Sequence, residues 1–337
     1  MKGSRRNLLW LLLATAILGG LVYVSDYREI VAVLSRAEKG YVAMAIASGG
    51  FTLLMWAVVW HRFFGLFGVD ARFRLTFRLL LAGTFLNSVT PLGRFGGEPV
   101  VAYLIAHRTD ANLQQALSSV SSADLSNALP FLTIGAVAVA YVAVFGTLGG
   151  IVSDIAAGVV VVVALAGLTI YLLWFGGAQR VGGLLEGLVT LEGRFGRFQT
   201  YVDSGVDRGR EILWRMREVG ENPRQTAVTL LISHLAVVGH VGATYFVLLS
   251  LGVDPVLETI LVVVALSAFL TFSPTPGSAG TFEAGFAGLV LAFFPVTAAT
   301  ATSVAILYRV GTYLPGVVLG YASLLSLGES GRDEPPP

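Results

Sequence analysis

Thr90-Pro91-Leu92-Gly93-Arg94-Phe95-Gly96-Gly97-Glu98-Pro99 and Ser273-Pro274-Thr275-Pro276-Gly277-Ser278-Ala279-Gly280 are the two places where long apolar segments, residues 79–106 and 259–294, are broken by proline and glycine. Aligned on Thr90-Pro91 and Thr275-Pro276, each break is followed, seven residues after the proline, by a glutamate: Glu98 and Glu283. Backbone stripped of its helical hydrogen bonds survives in hydrocarbon only where protein buries it or where it lines a wet cavity. Two such breaks at corresponding places in a membrane sequence therefore mark a candidate polar chamber.

The surrounding chain requires a membrane. Of 337 residues, 55% are hydrophobic and only 13% charged, with a mean hydropathy of +0.76; soluble domains carry about 25% charged residues. Apolar runs long enough to cross a ~30 Å hydrocarbon core cover residues 8–24, 41–60, 117–145, 155–175, 226–251 and 297–325. The first follows Lys2, Arg5 and Arg6 and resembles a signal peptide, but its apolar run continues past Ala14-Thr15-Ala16, so an uncleaved helix is expected. The absence of cysteine excludes disulfides, thiolate metal sites and a cysteine nucleophile.

The distribution of basic residues orients the spans. The N-terminus is basic and cytoplasmic, the charge-balanced loop 26–39 is outside, and 61–78, with Arg62, Arg72, Arg74 and Arg78, is inside. His107-Arg108 after the first broken segment is basic again, so 79–106 starts and finishes inside. The arginine-rich stretch 176–225 is inside, whereas Asp254, Glu258 and the Pro295-Val296 turn place both ends of 259–294 outside. Two architectures share this parity: re-entrant hairpins from opposite faces, or paired crossings with tight turns. The shortness of the halves favours re-entry. The expected fold is an all-α polytopic bundle with inverted repeats, about six full crossings and two re-entrant broken hairpins. It forms one membrane domain over 1–325: a first half 1–175, a cytoplasmic amphipathic segment 176–225 lying on the headgroups, and a second half 226–325. A disordered cytoplasmic tail, 326–337, follows.

Within apolar segments the only bases are Arg94 and Arg309 and the only acids Glu98, Asp124 and Glu283. A charge at membrane depth costs at least ~2.5 kcal/mol and usually has a partner or a task. Arg309 can neutralise Glu283 or grip a phosphate with its planar fork. Thr90, Pro91, Gly93, Gly96, Gly97, Pro276, Gly277 and Gly280 free backbone N–H groups, and the half-helix after each break adds a partial positive end suited to an anion. Glu98 and Glu283 fall in the first turn of those half-helices, where an acid also serves as a simple helix stabiliser. Asp124, among Ser118 to Ser126, has an interfacial reading besides a buried one.

At these residues the sequence resembles the flippase-like membrane family typified by the transmembrane region of lysylphosphatidylglycerol synthase, the multiple peptide resistance factor. The resemblance rests on Pro91 to Pro99 with Ala102-Tyr103-Leu104, on Pro274 to Glu283, and on Tyr308-Arg309 with Pro315-Gly316, and spans residues 8–325. It implies a protein that moves a polar-headed lipid between leaflets along re-entrant helices. Family members tend to carry an arginine just before the aspartate matching Asp124; Ser121 and Ser122 stand there instead. The soluble aminoacyl-transfer domain of the full-length synthase has no counterpart, so lipid aminoacylation is not expected.

His234 and His240 lie six apart on one helix, hence on different faces, and do not suggest a metal site. No Walker loop, GxSxG or HExxH occurs, so neither enzyme chemistry nor a cofactor is expected. The reading is a lipid flippase of the plasma membrane, with both termini cytoplasmic, taking an anionic, aminoacylated or glycosylated lipid, polyprenyl-linked lipids included. No nucleic acid is involved, and a homodimer stays open. The alternatives are an ion- or proton-coupled transporter of a small solute, separable by a closed aqueous vestibule in place of a lateral opening, and an intramembrane lipid-linked transferase with Glu98 or Glu283 as base.

Overall fold

The computed structural model describes residues 19–20, 26–90, 94–145, 223–271, 273 and 275–329, side chains excepted at 94–96, 138–145, 223 and 329. The expected spans 8–24 (apart from Gly19 and Gly20) and 155–175, the amphipathic segment up to residue 222 and the tail from 330 lie outside the described residues. Among the described residues the protein is helical, with no strand. The helices are α1 (Tyr27–Ser35), α2 (Lys39–Leu66), α3 (Phe73–Val89), α4 (Arg94–Arg108), α5 (Leu113–Phe145), α6 (Pro223–Ser250), α7 (Leu257–Leu270), α8 (Thr281–Phe293), α9 (Ala298–Thr312) and α10 (Leu314–Glu329), with a 3-10 turn at Pro276–Ser278 between α7 and α8. Lys39–Leu66, Arg224–Ser250 and Ala298–Gly328 are long and apolar enough to cross a membrane; the last counts as one span although its helix loosens at Tyr313.

Small residues let these helices approach closely, as apolar helices in lipid require. Antiparallel α2 and α6 are pinned along their length. The Glu38 N–H donates to the Ser250 carbonyl (2.9 Å), Thr52 Oγ1 to the Ala236 carbonyl (3.0 Å) and Arg62 Nε to Thr229 Oγ1 (2.8 Å). A Cβ at Gly239 would run into Thr52 and the Ser48 carbonyl. Antiparallel α3 and α10 meet through Gly316-Val317-Val318-Leu319-Gly320: a Cβ at Gly320 would strike the Leu81 carbonyl, and one at Gly316 would press on Thr84. Arg78 Nη2 donates to Ser326 Oγ (2.7 Å) at one end of that contact.

The apolar core has two parts. Phe63, Phe64, Leu79, Ile105 and Val120 join α2 to α5 around the α3–α4 hairpin. Leu248, Ile260, Phe286 and Val304 join α6 to α9 around the α7–α8 hairpin. Gln115 Nε2 donates to the Phe67 carbonyl (3.2 Å), bringing both ends of the first hairpin to the side where α2 finishes. Both ends of the second lie on the side where α2 begins, beside the Glu38–Ser250 contact, with Thr297 Oγ1 donating to Glu29 (3.3 Å).

Several boundaries differ from expectation. α1, capped by Asp26 on the Arg28 N–H (3.0 Å), occupies the expected outer loop; nine residues with apolar positions four apart make a helix, not a coil. Helix α3 starts at Phe73, so Arg74 and Arg78 are on a helix, as Arg62 is on α2. Helix α4 starts at Arg94 and runs through Pro99, so residues 94–99 of the expected first break are helical. The final span loosens at Tyr313, just ahead of Pro315, which cannot donate to the ladder; the helical bonds nonetheless run on, from the Tyr313 N–H to the Arg309 carbonyl (2.9 Å) and from the Val317 N–H to the Tyr313 carbonyl (3.1 Å). Helix α10 takes in residues 326–329, which had been assigned to the tail.

Candidate functional site

The second break is built on left-handed backbone. Pro276 opens the 3-10 turn, and Gly277 (φ 57°), Ser278 (φ 56°) and Gly280 (φ 80°) follow with positive φ. Glycine at 277 is needed twice over: its φ is one that side chains rarely adopt, and a Cβ there would collide with the Tyr313 hydroxyl and lie 3.0 Å from the Ser88 carbonyl. Ser278, the non-glycine in this turn, is anchored by its hydroxyl on the Thr271 carbonyl (3.0 Å). The tip of the second hairpin is thus seated against the last turn of α3, at the edge of the first break. One residue earlier on that turn, Asn87 abuts Gly97 of α4, where a Cβ would overlap the amide oxygen.

Beside this junction is an ion pair. Arg309 Nε donates to Glu283 Oε1 (2.8 Å) and Nη2 to the Gly277 carbonyl (2.7 Å), with the two side chains only 14% and 13% exposed. The guanidinium lies 3.7 Å from the Tyr313 ring centroid and 4.9 Å from that of Phe282, so both its edges and its faces are engaged. Glu283 Oε2 accepts the Gly280 N–H (2.7 Å), capping α8. One carboxylate therefore does both things the sequence allowed: it stabilises a helix start and neutralises a cation.

The chain also matches known proteins. The family described as "Lysylphosphatidylglycerol synthase TM region" matches residues 11–320. The chain belongs to that family. It is similar to a UPF0104 membrane protein of Methanothermobacter thermautotrophicus, 22% identical over 335 residues and covering 97% of each chain. It is similar also to UPF0104 membrane proteins of Pyrococcus horikoshii, 25% identical over 89% of this chain and 91% of the other, and of Methanocaldococcus jannaschii, 23% identical over 96% of each.

In this lysylphosphatidylglycerol synthase TM region protein the charges singled out from the sequence separate into two groups. Glu283, Arg309, Pro276, Gly277 and Gly280 come together. Glu98 and Asp124 have partners on the α4–α5–α2 side: Ser121 Oγ donates to Glu98 Oε2 (3.4 Å), and Trp60 Nε1 to Asp124 Oδ1 (3.3 Å). Asp124 is thus turned toward the bundle interior. Glu98 is the fifth residue of α4, one turn deeper than expected, because the helix begins before Gly96 and Gly97; it does not repeat Glu283's capping role. Thr90 caps α3 with its hydroxyl on the Leu86 carbonyl (2.9 Å), and Gly96 and Gly97 are helical. Pro91, Gly93 and the side chain of Arg94 lie outside the described residues. No cluster of metal ligands occurs among the described residues. The sequence reading missed Tyr313, Phe282 and the Gly277 carbonyl as partners of Arg309. Tyr313 was findable, being four residues on and so on the same helix face.

Proposed function

We propose that this family member moves a polar-headed lipid, anionic, aminoacylated or glycosylated, between leaflets, and that α3–α4 and α7–α8 are re-entrant hairpins entering from opposite faces. The observation that carries this reading is the meeting of the two broken segments, Gly277 against Ser88 and Tyr313, next to the buried Glu283–Arg309 pair. At ~1.5 Å per residue the hairpin helices, 17, 15, 14 and 13 residues long, measure about 20–25 Å, less than the ~30 Å hydrocarbon core. Arg309 lies about 16 Å along the 31-residue Ala298–Gly328 span, roughly a third of the way and more than four turns from its far end. A water-filled loop at the membrane margin would not need an arginine satisfied on every side.

The pair has a chemical use. A lipid phosphate can replace Glu283 on the guanidinium, since both are oxygen anions suited to its fork; the displaced carboxylate keeps the Gly280 N–H. The headgroup then exchanges one anion for another on a fixed cation and is never stranded in hydrocarbon, while its tails stay in lipid. The chain is read as a transporter and not an enzyme, with a membrane lipid as its ligand and both termini cytoplasmic. The test is reconstitution into liposomes with headgroup-labelled phosphatidylglycerol and its aminoacylated analogue, following loss of the label to a membrane-impermeant reductant. Wild type should accelerate exchange, and Glu283→Gln and Arg309→Ala should slow it at least about tenfold, the loss expected when a charged partner worth more than 1.4 kcal/mol is removed. Wild-type vesicles no faster than protein-free ones with either lipid overturn the proposal.

A further inference from the structure

Behind the ion pair stands a buried imidazole. His240, on α6, has Nδ1 2.8 Å from Tyr308 Oη of α9. Its ring is boxed by Trp56 of α2 (centroids 5.6 Å apart), Phe131 of α5 (5.4 Å) and Tyr308 itself (6.2 Å). The Tyr308 ring in turn stacks on Phe286 (4.4 Å) and Phe282 (5.9 Å) of α8. The residues following Tyr308 and Phe282 are Arg309 and Glu283. One phenol therefore joins the imidazole to the helix that carries the carboxylate of the site.

We propose that His240 is a proton-binding residue that couples pH to the seating of the α7–α8 hairpin, an inference that rests on the transport reading above. Histidine is the side chain whose charge ordinarily changes between about pH 5 and 8. A neutral imidazole donates from one nitrogen and accepts at the other; once a proton from water binds, both nitrogens donate. Nδ1 must then give its hydrogen to Tyr308 Oη, and the phenol must turn its own toward Ser267 of α7 or Thr312 of α9, which stand beside it. For the neutral tautomer that accepts at Nδ1 from the phenol, the one included in this proposal, protonation reverses a hydrogen bond at the residue on which α8 is stacked. Three aromatic faces provide a setting in which a cation is tolerated at depth.

Among the described residues, the charged and titratable groups around His240 are these. On α9 the group facing His240 is Tyr308, with Arg309 next along; α8 contributes Glu283, already paired with Arg309. The α2 and α5 faces present Trp56 and Phe131, and α7 presents Ser267. Of the described charges on α5 and α2, Asp124 accepts from Trp60 and Arg62 donates to Thr229. His234, the other imidazole of α6, bonds Thr133 Oγ1 (3.0 Å) on a different face and serves as a control.

Trp56 provides a readout that needs no transport, because a protonated imidazole quenches an adjacent indole. In a full-length chain whose other tryptophans, Trp10, Trp60, Trp174 and Trp214, are replaced by phenylalanine, Trp56 emission in nanodiscs should fall along a one-proton curve as pH is lowered from about 8 to 5. His240→Gln should flatten the curve and His234→Gln should leave it. If that chain does not fold, the ring nitrogen shifts of the four histidines of wild type, assigned with His240→Gln, report the same titration. Coupling is read by the rate at which Ser278→Cys, in this cysteine-free protein, reacts with a small permeant thiol reagent: the rate should follow the same curve and lose its pH dependence with His240→Gln. An unchanged Trp56 curve in His240→Gln, an unmoving His240 shift, or a Ser278→Cys rate with the same pH dependence with and without His240 overturns the proposal. Because none of these measurements follows the movement of a lipid between leaflets, a protein that moves no lipid would end the transport reading alone.

Discussion

At the scale of the residue, Arg309 sets the terms. Its Nε and Nη2 are committed to Glu283 and Gly277, and its faces to Tyr313 and Phe282, an arrangement a lysine ammonium cannot reproduce. Arg309→Ala leaves a buried carboxylate without its cation and should cost about 3–5 kcal/mol of stability, measured as a lowered thermal unfolding midpoint in detergent. Combining it with Glu283→Gln should cost less than the sum of the two single changes. Gly277→Ala should cost about 1–3 kcal/mol for the left-handed backbone, and more because its methyl has no room beside Tyr313 and Ser88. Arg309 and Glu283 were legible in the sequence because a charge in an apolar run is conspicuous. The Gly277 carbonyl was not, since every residue has one and only the turn decides where it points. His240 was legible only by its spacing from His234, which does not suit a metal site; its setting was not, because its partner Tyr308 is far along the chain and its cage comes from three helices.

At the scale of the element, the pattern of apolar runs broken by Pro-Gly clusters located both helix pairs, since proline and glycine are the residues that most readily stop a helix. The ends of the breaks were less readable. Pro99 looks like a breaker but sits inside α4, and Tyr313, with no glycine or proline of its own, hides the loosened turn between α9 and α10. Short α1 was concealed by its balanced charges. The contact of α10 with α3 depends on glycine, so Gly320→Leu should force the helices apart and lower the unfolding midpoint, whereas Gly328→Leu, with open space around it, should leave it unchanged.

At the scale of the whole molecule, the distribution of basic residues predicts two halves of opposed orientation. What charge counting could not supply was the junction itself, which depends on packing between residues nearly two hundred positions apart. Cysteine introduced at Asp110 should react with an impermeant reagent only from inside, and cysteine at Asp254 only from outside. Cysteines at Ser88 and Ser278 should resist it from both sides yet be joined to one another by a short bifunctional maleimide; ready labelling of both by the impermeant reagent would place the breaks at the margins. The length from α9 to α10 bears on all of this. Its first part is bolted to one hairpin through Arg309 and Tyr308, and its second part to the other through Gly316 and Gly320. Because helical bonds run on through Tyr313, a single splint lies across both hairpins, and a change in the seating of either is felt along its whole length.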